Sequence, residues 1–410
     1  MDSSSILIIL LTILSLDFIY SKILEYLNIK DMKEELPKDV QDIYDEEKYK
    51  KSIAYAKTNS KFDLLTSTFS FLLSFSLIAT GFFGWLDFEV RGMVDSPIFT
   101  PLAFFGLLFI ASDILNIPFQ LYGTFVIEER FGFNKTTGKT FVIDKLKGYL
   151  LTGIIGGLIL YILLNLMNVF GSNFWLYFWA VISAFTLFMN MFYTSLILPL
   201  FNKLTPLEEG DLKEAIQAYS KKVNFPLDNI FVIDGSKRSN KSNAFFSGIG
   251  KKKKIVLYDT LIKNHSKEEL VAVLAHEVGH FKKKHIITGY LLSILQVGFT
   301  LFIMSLIIFN ANVSEAMGGN QLAVHLNLLA FGILYTPISH FVGIFMNMLS
   351  RKNEFEADAY AKETYDGNFL QQALKKLSVD NLSNLFPHPA YVFINYSHPP
   401  LLKRLEAMKD

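Results

Sequence analysis

His276, Glu277 and His280 stand in the stretch SKEELVAVLAHEVGHFKKKH, residues 266–285, with helical apolar spacing around them. Two histidines four apart on a helix project from one side, a turn apart. In that arrangement two imidazoles can share one Zn²⁺, and the glutamate beside the first of them can reach a water in the open coordination position. Such a zinc makes water acidic, so Glu277 would take its proton and the hydroxide would attack a peptide carbonyl. The bland alternative is a helix carrying two surface histidines. The chain contains no cysteine. Any metal must therefore be held by His, Asp or Glu.

A catalytic zinc needs a third protein ligand. The segment SRKNEFEADAYAKE, residues 350–363, reads as a helix that follows an apolar stretch and offers Glu354, Glu356 and Asp358. Glu354 and Asp358 share a face four apart, whereas Glu356 points elsewhere. A two-histidine, one-glutamate site would use Glu354, leaving Asp358 to accept from the free N–H of a ligand histidine. Ser266 followed by Glu269 is a capping-box pattern, which predicts where the HExxH helix begins.

The elements that must position these residues are largely membranous. Of 410 residues, 51% are hydrophobic and 15% aromatic, with 39 Phe. That composition points to the membrane class, and a net charge of +1 gives no footprint for nucleic acid. Seven apolar segments have room for the roughly 20 residues of a membrane helix. They lie near 4–24, 65–86, 99–123, 148–170, 174–202, 286–311 and 322–349. Asp113, His325 and His340 fall inside these segments; an intramembrane charge such as Asp113 marks a functional candidate, with lining a wet chamber or lying near the interface as the alternatives, and the two histidines are expected to pack or to line the chamber. The connections at 25–64, 124–147 and 203–285 are rich in Lys and Arg, while DFEVRGMVDSP, GSN and ANVSEAMGGN are nearly free of them. The positive-inside rule then places the N-terminus outside and the C-terminus in the cytoplasm. Two stretches read as soluble. Residues 203–285 give helix, strand, strand, helix, with a hairpin turning at Gly248 and Gly250; residues 350–410 are mostly helical. The Lys251–Lys254 run reads as a solvated turn near anionic headgroups.

HEVGH followed by Glu354-x-x-Ala357-Asp358 resembles the Ste-type CAAX prenyl endopeptidases, type I, which are integral-membrane zinc proteases. EERFGFNKTT (128–137), KSNAFFSG…KKIVLYDTLI and YSHPPLLKRLEAM (396–408) are similar to further family motifs, so the resemblance covers nearly the whole chain. It implies a mostly α, polytopic fold. Seven transmembrane helices would surround a chamber, capped on the cytoplasmic side by a gluzincin-like zinc domain with a small sheet. The division expected is 1–202 for membrane helices 1–5, 203–285 for the first part of the zinc domain, 286–349 for membrane helices 6–7, and 350–410 for the second part. The resemblance implies one zinc per chain on His276, His280 and Glu354, with Glu277 as general base and Asp358 in support. It places Asn243 in the strand that pairs with substrate backbone, an established way of holding an extended peptide. It puts His398 near the scissile carbonyl, where it could donate to the oxyanion, and Arg404 in the substrate-side supporting network. His285 also matches a family histidine.

The function expected is therefore a membrane zinc endopeptidase acting on peptide or protein tails, prenylated or not. Two other readings compete. One is a quality-control protease like the HtpX heat-shock proteases, which have fewer membrane helices. The other is a seven-helix transporter or receptor with structural zinc, against which stands Glu277 beside an incomplete ligand sphere. Richness in Lys, Ile, Asn and Phe leans toward a bacterial cytoplasmic membrane rather than the endoplasmic reticulum.

Overall fold

The computed structural model describes residues 1–247 and 253–409. The turn expected at Gly248 and Gly250, with Lys251 and Lys252, lies outside the described residues. The N-terminal half is helical: α1 (Ser3–Lys30), α2 (Glu46–Ala79), α3 (Phe82–Met93), α4 (Phe99–Tyr122, prolonged as a π-helix through Glu128), α5 (Gly138–Leu151), α6 (Gly157–Phe170), α7 (Phe174–Leu196) and the short α8 (Leu198–Phe201). By length and apolar composition, five helical stretches can cross a bilayer: Ser3–Lys30, Glu46–Ala79, Phe99–Glu128, Gly138–Phe201 and His285–Ile307. The fourth runs for 64 residues and is turned at Gly171–Asn173, where Gly171 takes φ 52° and α6 packs against α7. Much of the apolar surface of these helices is uncovered by the rest of the chain, as lipid-facing helices require.

Several expected boundaries move. The span expected at 65–86 is divided: α2 ends at Ala79, Gly81 takes φ 69°, and α3 begins at Phe82. The segment DFEVRGMVDSP, expected as a loop, is largely the second half of α3. Gly84 sets that packing. Its N–H donates to Met317 O (3.0 Å), and a Cβ at Gly84 would lie 1.8 Å from Gly318 O. The last apolar segment is two helices, α14 (Val324–Leu334) and α15 (Thr336–Thr364), bent by 51° at Tyr335. Residues 350–363 are thus no separate helix but the continuation of α15, because no breaker interrupts the sequence at Ser350.

The second half adds β1 (Leu204–Pro206), α9 (Asp211–Lys222), β2 (Leu227–Ile233), β3 (Ala244–Ser247), β4 (Lys253–Tyr258), α10 (Asp259–Asn264), α11 (Lys267–Lys282), α12 (His285–Ile307) and α13 (Ala311–Ala316). After α15 come α16 (Gly367–Asp380), α17 (Pro389–Asn395) and α18 (Leu401–Met408). The strands form one sheet in the order β1-β2-β4-β3, with β2 and β4 parallel and the other pairs antiparallel. The short β1 has no alternation to betray it, and the sequence reading missed it.

One core unites this domain. Ile216, Leu257, Leu261, Leu270, Val278, Leu370 and Leu405 are buried together, joined by Val40 and Tyr44 from the α1–α2 connection and Tyr49 from the start of α2. Each such aliphatic side chain contributes about 1.5–3 kcal/mol when buried. The core thereby fixes α11, α15, α16 and α18 against one another, and the functional side chains ride on those helices.

Candidate metal centre

The capping box forms as expected. Ser266 Oγ accepts from Glu269 N (3.2 Å), and the Glu269 carboxylate accepts from Ser266 N (2.9 Å). This pair, with the buried Leu270, Leu274 and Val278, sets the start and rotation of α11. α11 lies against α15, and Gly279 is where they approach. A Cβ there would meet Ala357 Cα at 3.0 Å and Ala357 O at 3.1 Å. Small residues at Gly279 and Ala357 thus bring the two histidines of one helix across from the carboxylates of the other.

His276 Nε2 and His280 Nε2 face each other at 3.2 Å, and His280 Nε2 is 3.2 Å from Glu354 Oε1. His276 Nε2 is 3.5 Å from Glu354 Oε2. Among the described residues these three form the one group able to hold a metal ion, with ligand atoms all within 4.8 Å of one another. The donor set fits such an ion. Nitrogens about 2.0 Å from a tetrahedral zinc stand about 3.3 Å apart, close to the spacing here. Glu354 is 5% exposed, and its Oε2 has no hydrogen-bond partner. A buried carboxylate oxygen left unbonded is costly unless a cation meets it.

The surrounding groups orient this set. His276 Nδ1–H donates to Asp358 Oδ1 at 2.8 Å. Asp358 in turn accepts from Arg404 at both oxygens, 2.8 Å from Nε and 2.6 Å from Nη2. Arg404 is buried, not aimed at open solvent, and its Nη1 lies 3.5 Å from Glu354 Oε2. Burial pulls the His276 imidazole down, but Asp358 and Glu354 outweigh it and raise it to about 9. The site thus favours positive charge at this point. Burial pushes the Glu277 carboxyl up, against the pull of His276 and His280. Glu277 is half-buried, next to His276 on α11.

His398 reaches the cluster from the turn before α18, with Nε2 3.4 Å from Glu354 Oε1 and Nδ1 3.0 Å from Ser397 Oγ. That turn is tied to α15 by groups the sequence reading missed. Arg351 donates to Val392 O (3.0 Å), Phe393 O (3.3 Å) and Tyr396 O, and Asn347 donates to Ile394 O (2.7 Å). A cation here meets carbonyls at the C-terminal end of α17, where it is also favourably placed against the helix dipole.

Asn243 is exposed and immediately precedes β3, one of the two edge strands of the sheet. Its carbonyl accepts from Tyr258 N (3.1 Å), and its Oδ1 accepts from Ala244 N (2.8 Å). The 128–137 loop braces the approach to this strand. Lys135 N donates to Arg238 O (3.0 Å), Asn240 N donates to Phe133 O (3.0 Å), and Glu128 pairs with Lys241 (3.0 Å) and Tyr55. Other expected polar sites stand apart. Asp113 meets Lys145 and Tyr149, His325 meets Asp87 (2.7 Å), and His340 meets Asp17 (2.6 Å).

A polytopic helical chain carrying a two-histidine, one-glutamate group on packed helices has the build of a membrane metalloprotease. The family model "CAAX prenyl protease N-terminal, five membrane helices" matches residues 25–203, and the model of peptidase family M48 matches residues 206–410. The chain belongs to peptidase family M48, and the resemblance read from its motifs is borne out. It is 38% identical to a CAAX prenyl protease 1 homolog of Oryza sativa subsp. japonica, over 92% of this chain and 90% of that one. It is 33% identical to CAAX prenyl protease 1 of Saccharomyces cerevisiae, over 95% and 92%. The crystal structure of S. mikatae Ste24p superposes with a TM-score of 0.92 at 34% identity, covering 98% of this chain and 99% of that one. The protein is thus an integral-membrane metalloprotease.

Proposed function

We propose that this chain is a zinc endopeptidase that cleaves the C-terminal tails of CAAX-type substrates, lipidated ones included. The observation that carries this reading is the convergence of His276, His280 and Glu354 on one point, with Asp358 and Arg404 holding them. Zinc, when bound by His276, His280 and Glu354, supplies the Lewis acidity that makes water a nucleophile at neutral pH. Glu277 accepts the proton of that water and passes it to the leaving amine. His398 donates to the oxyanion as it develops. Arg404 acts through Asp358, which makes it a positioning residue for the ligands in this reading.

The edge strand β3 offers its outer face to an extended peptide, with Asn243 at its entrance. Asn243→Ala is expected to raise KM roughly 2- to 10-fold, the worth of one hydrogen bond, with metal content unchanged by elemental analysis. Arg351→Met frees the carbonyls that tether the His398 turn. It is expected to lower kcat roughly 10- to 100-fold, as misplacement of a reacting group does, at constant metal content. An undiminished kcat would disconnect His398 from Arg351.

In the membrane we read seven crossings: α1, α2, α4, the two halves of Gly138–Phe201, α12, and the bent α14–α15 pair. They would enclose a chamber whose cytoplasmic side is capped by residues 203–285 and 350–410, between 1–202 and 286–349. The Lys-rich connections support an outside N-terminus. The eukaryotic relatives favour the endoplasmic reticulum over the bacterial membrane that residue usage pointed to. The test is cleavage by purified protein in detergent of a farnesylated CAAX peptide and its unprenylated twin. Faster cleavage of the lipidated twin supports the reading, and cleavage of neither overturns it.

A further inference from the structure

Asp358 accounts for the orientation of His276, but His280 has a different partner, on the other side of the site. His280 Nδ1 lies 3.1 Å from His285 Nδ1. His285 Nε2 lies 3.0 Å from Glu356 Oε2. His285 is the first residue of α12, and Lys284 before it takes φ 63°, a left-handed conformation that a lysine rarely adopts. That bend separates α11 from α12 and sets the His285 ring beside His280, their centroids 5.2 Å apart.

Only one pattern of protons satisfies this chain of atoms together with a metal at His280 Nε2. A ligand nitrogen carries a lone pair, so His280 bears its proton on Nδ1 and donates it to His285 Nδ1. His285 then carries its own proton on Nε2 and donates it to the Glu356 carboxylate, whose charge favours that tautomer. We propose that His285 and Glu356 form a relay that fixes the tautomer and ring orientation of the ligand His280, as Asp358 does for His276. The inference rests on the metal reading above. Residues 354, 356 and 358 of a single helix then divide the work: Glu354 toward the metal, Asp358 behind one histidine, and Glu356 behind the partner of the other.

The test uses the full chain in detergent, stripped of metal and titrated with Zn²⁺ against a chelator and with Co²⁺ by visible absorption. His285→Phe keeps a ring and removes both nitrogens; Glu356→Gln keeps shape and removes charge. His285→Phe is expected to weaken metal affinity roughly 10- to 100-fold, the loss typical for removal of an outer partner of a ligand. It should also shift the Co²⁺ d–d bands, and lower kcat more than it raises KM. Glu356→Gln should move all three the same way by less, and Glu356→Asp should restore part of the loss. The melting temperature of the metal-free protein should stay unchanged, which a purely structural role would not allow. Wild type that loads one metal beside a His285→Phe protein of equal affinity and unchanged Co²⁺ spectrum overturns this inference alone. Wild type that takes up no metal overturns the metal reading and this inference with it. Should His285→Phe not fold, Glu356→Gln, at a half-exposed carboxylate, decides by itself.

Discussion

Glu277→Ala is expected to keep one zinc per chain and to lose peptide cleavage by about 10²–10⁴-fold, the contribution of a positioned general base. The two halves of that result come from separate features of the site. Metal retention is expected because the proposed ligand atoms belong to His276, His280 and Glu354, and Glu277 is not among them. Its loss also leaves the Ser266–Glu269 cap and the Gly279–Ala357 contact intact, so α11 keeps its rotation against α15. Loss of turnover follows because no other carboxylate is free to replace it. Both oxygens of Asp358 are taken by Arg404, and Glu356 is engaged by His285. Glu277→Gln, which preserves volume and hydrogen bonding, should be nearly as inactive. Elemental analysis beside single-turnover cleavage separates the two effects. Loss of metal and activity together would move Glu277 from base to ligand and remove it from the proton transfer.

The parts of this site that could be read from sequence are those encoded by local spacing. His276 and His280 are one turn apart on a helix whose start is written by its own cap. Glu354 and Asp358 are a turn apart in the same way, and both are buried, facing α11. What local spacing could not show was which residue stands behind which. His285 could be matched to a family histidine but not to a partner, because the left-handed bend at Lys284 that sets it beside His280 has no signature in a run of lysines. Arg351 carried no signal in the sequence. Its role exists only because α17, some forty residues later, returns its C-terminal carbonyls to the same place. Gly279 and Ala357 were visible as small residues, but their effect is a contact between two helices far apart in the chain.

The membrane half shows the same limit. Apolar runs locate the helices, because lipid demands length and composition. They do not locate breaks made by single residues, so the division at Gly81 and the bend at Tyr335 were both passed over. A run of hydropathy registers no difference between a straight helix and one that turns. Beyond the turn at Tyr335, α15 runs unbroken to Thr364 and brings Glu354 and Asp358 against α11.

Glu354→Ala is expected to have the larger effect on the metal: stoichiometry falling from near one toward zero, and affinity falling by more than the 10- to 100-fold that follows loss of an outer partner. Four positive or proton-bearing groups converge on this carboxylate. Arg404 Nη1 is 3.5 Å from it, His398 Nε2 is 3.4 Å away, and the two ligand histidines lie at 3.2 and 3.5 Å. Removing it subtracts a ligand and also leaves a buried guanidinium with Asp358 as its remaining close anion, an imbalance of the kind that breaks buried ion networks. Glu354→Gln separates the two contributions: it keeps the volume and a neutral oxygen donor but not the charge. If charge dominates, Glu354→Gln should bind metal nearly as poorly as Glu354→Ala; if shape dominates, it should recover much of the affinity. Full stoichiometry in Glu354→Ala would require another acid to close the site. Asp358 would have to abandon Arg404 and His276 to do so, and Glu356 would have to abandon His285. Either exchange would uncouple a ligand histidine from its partner, so a metal retained that way should be held loosely and should change its Co²⁺ spectrum.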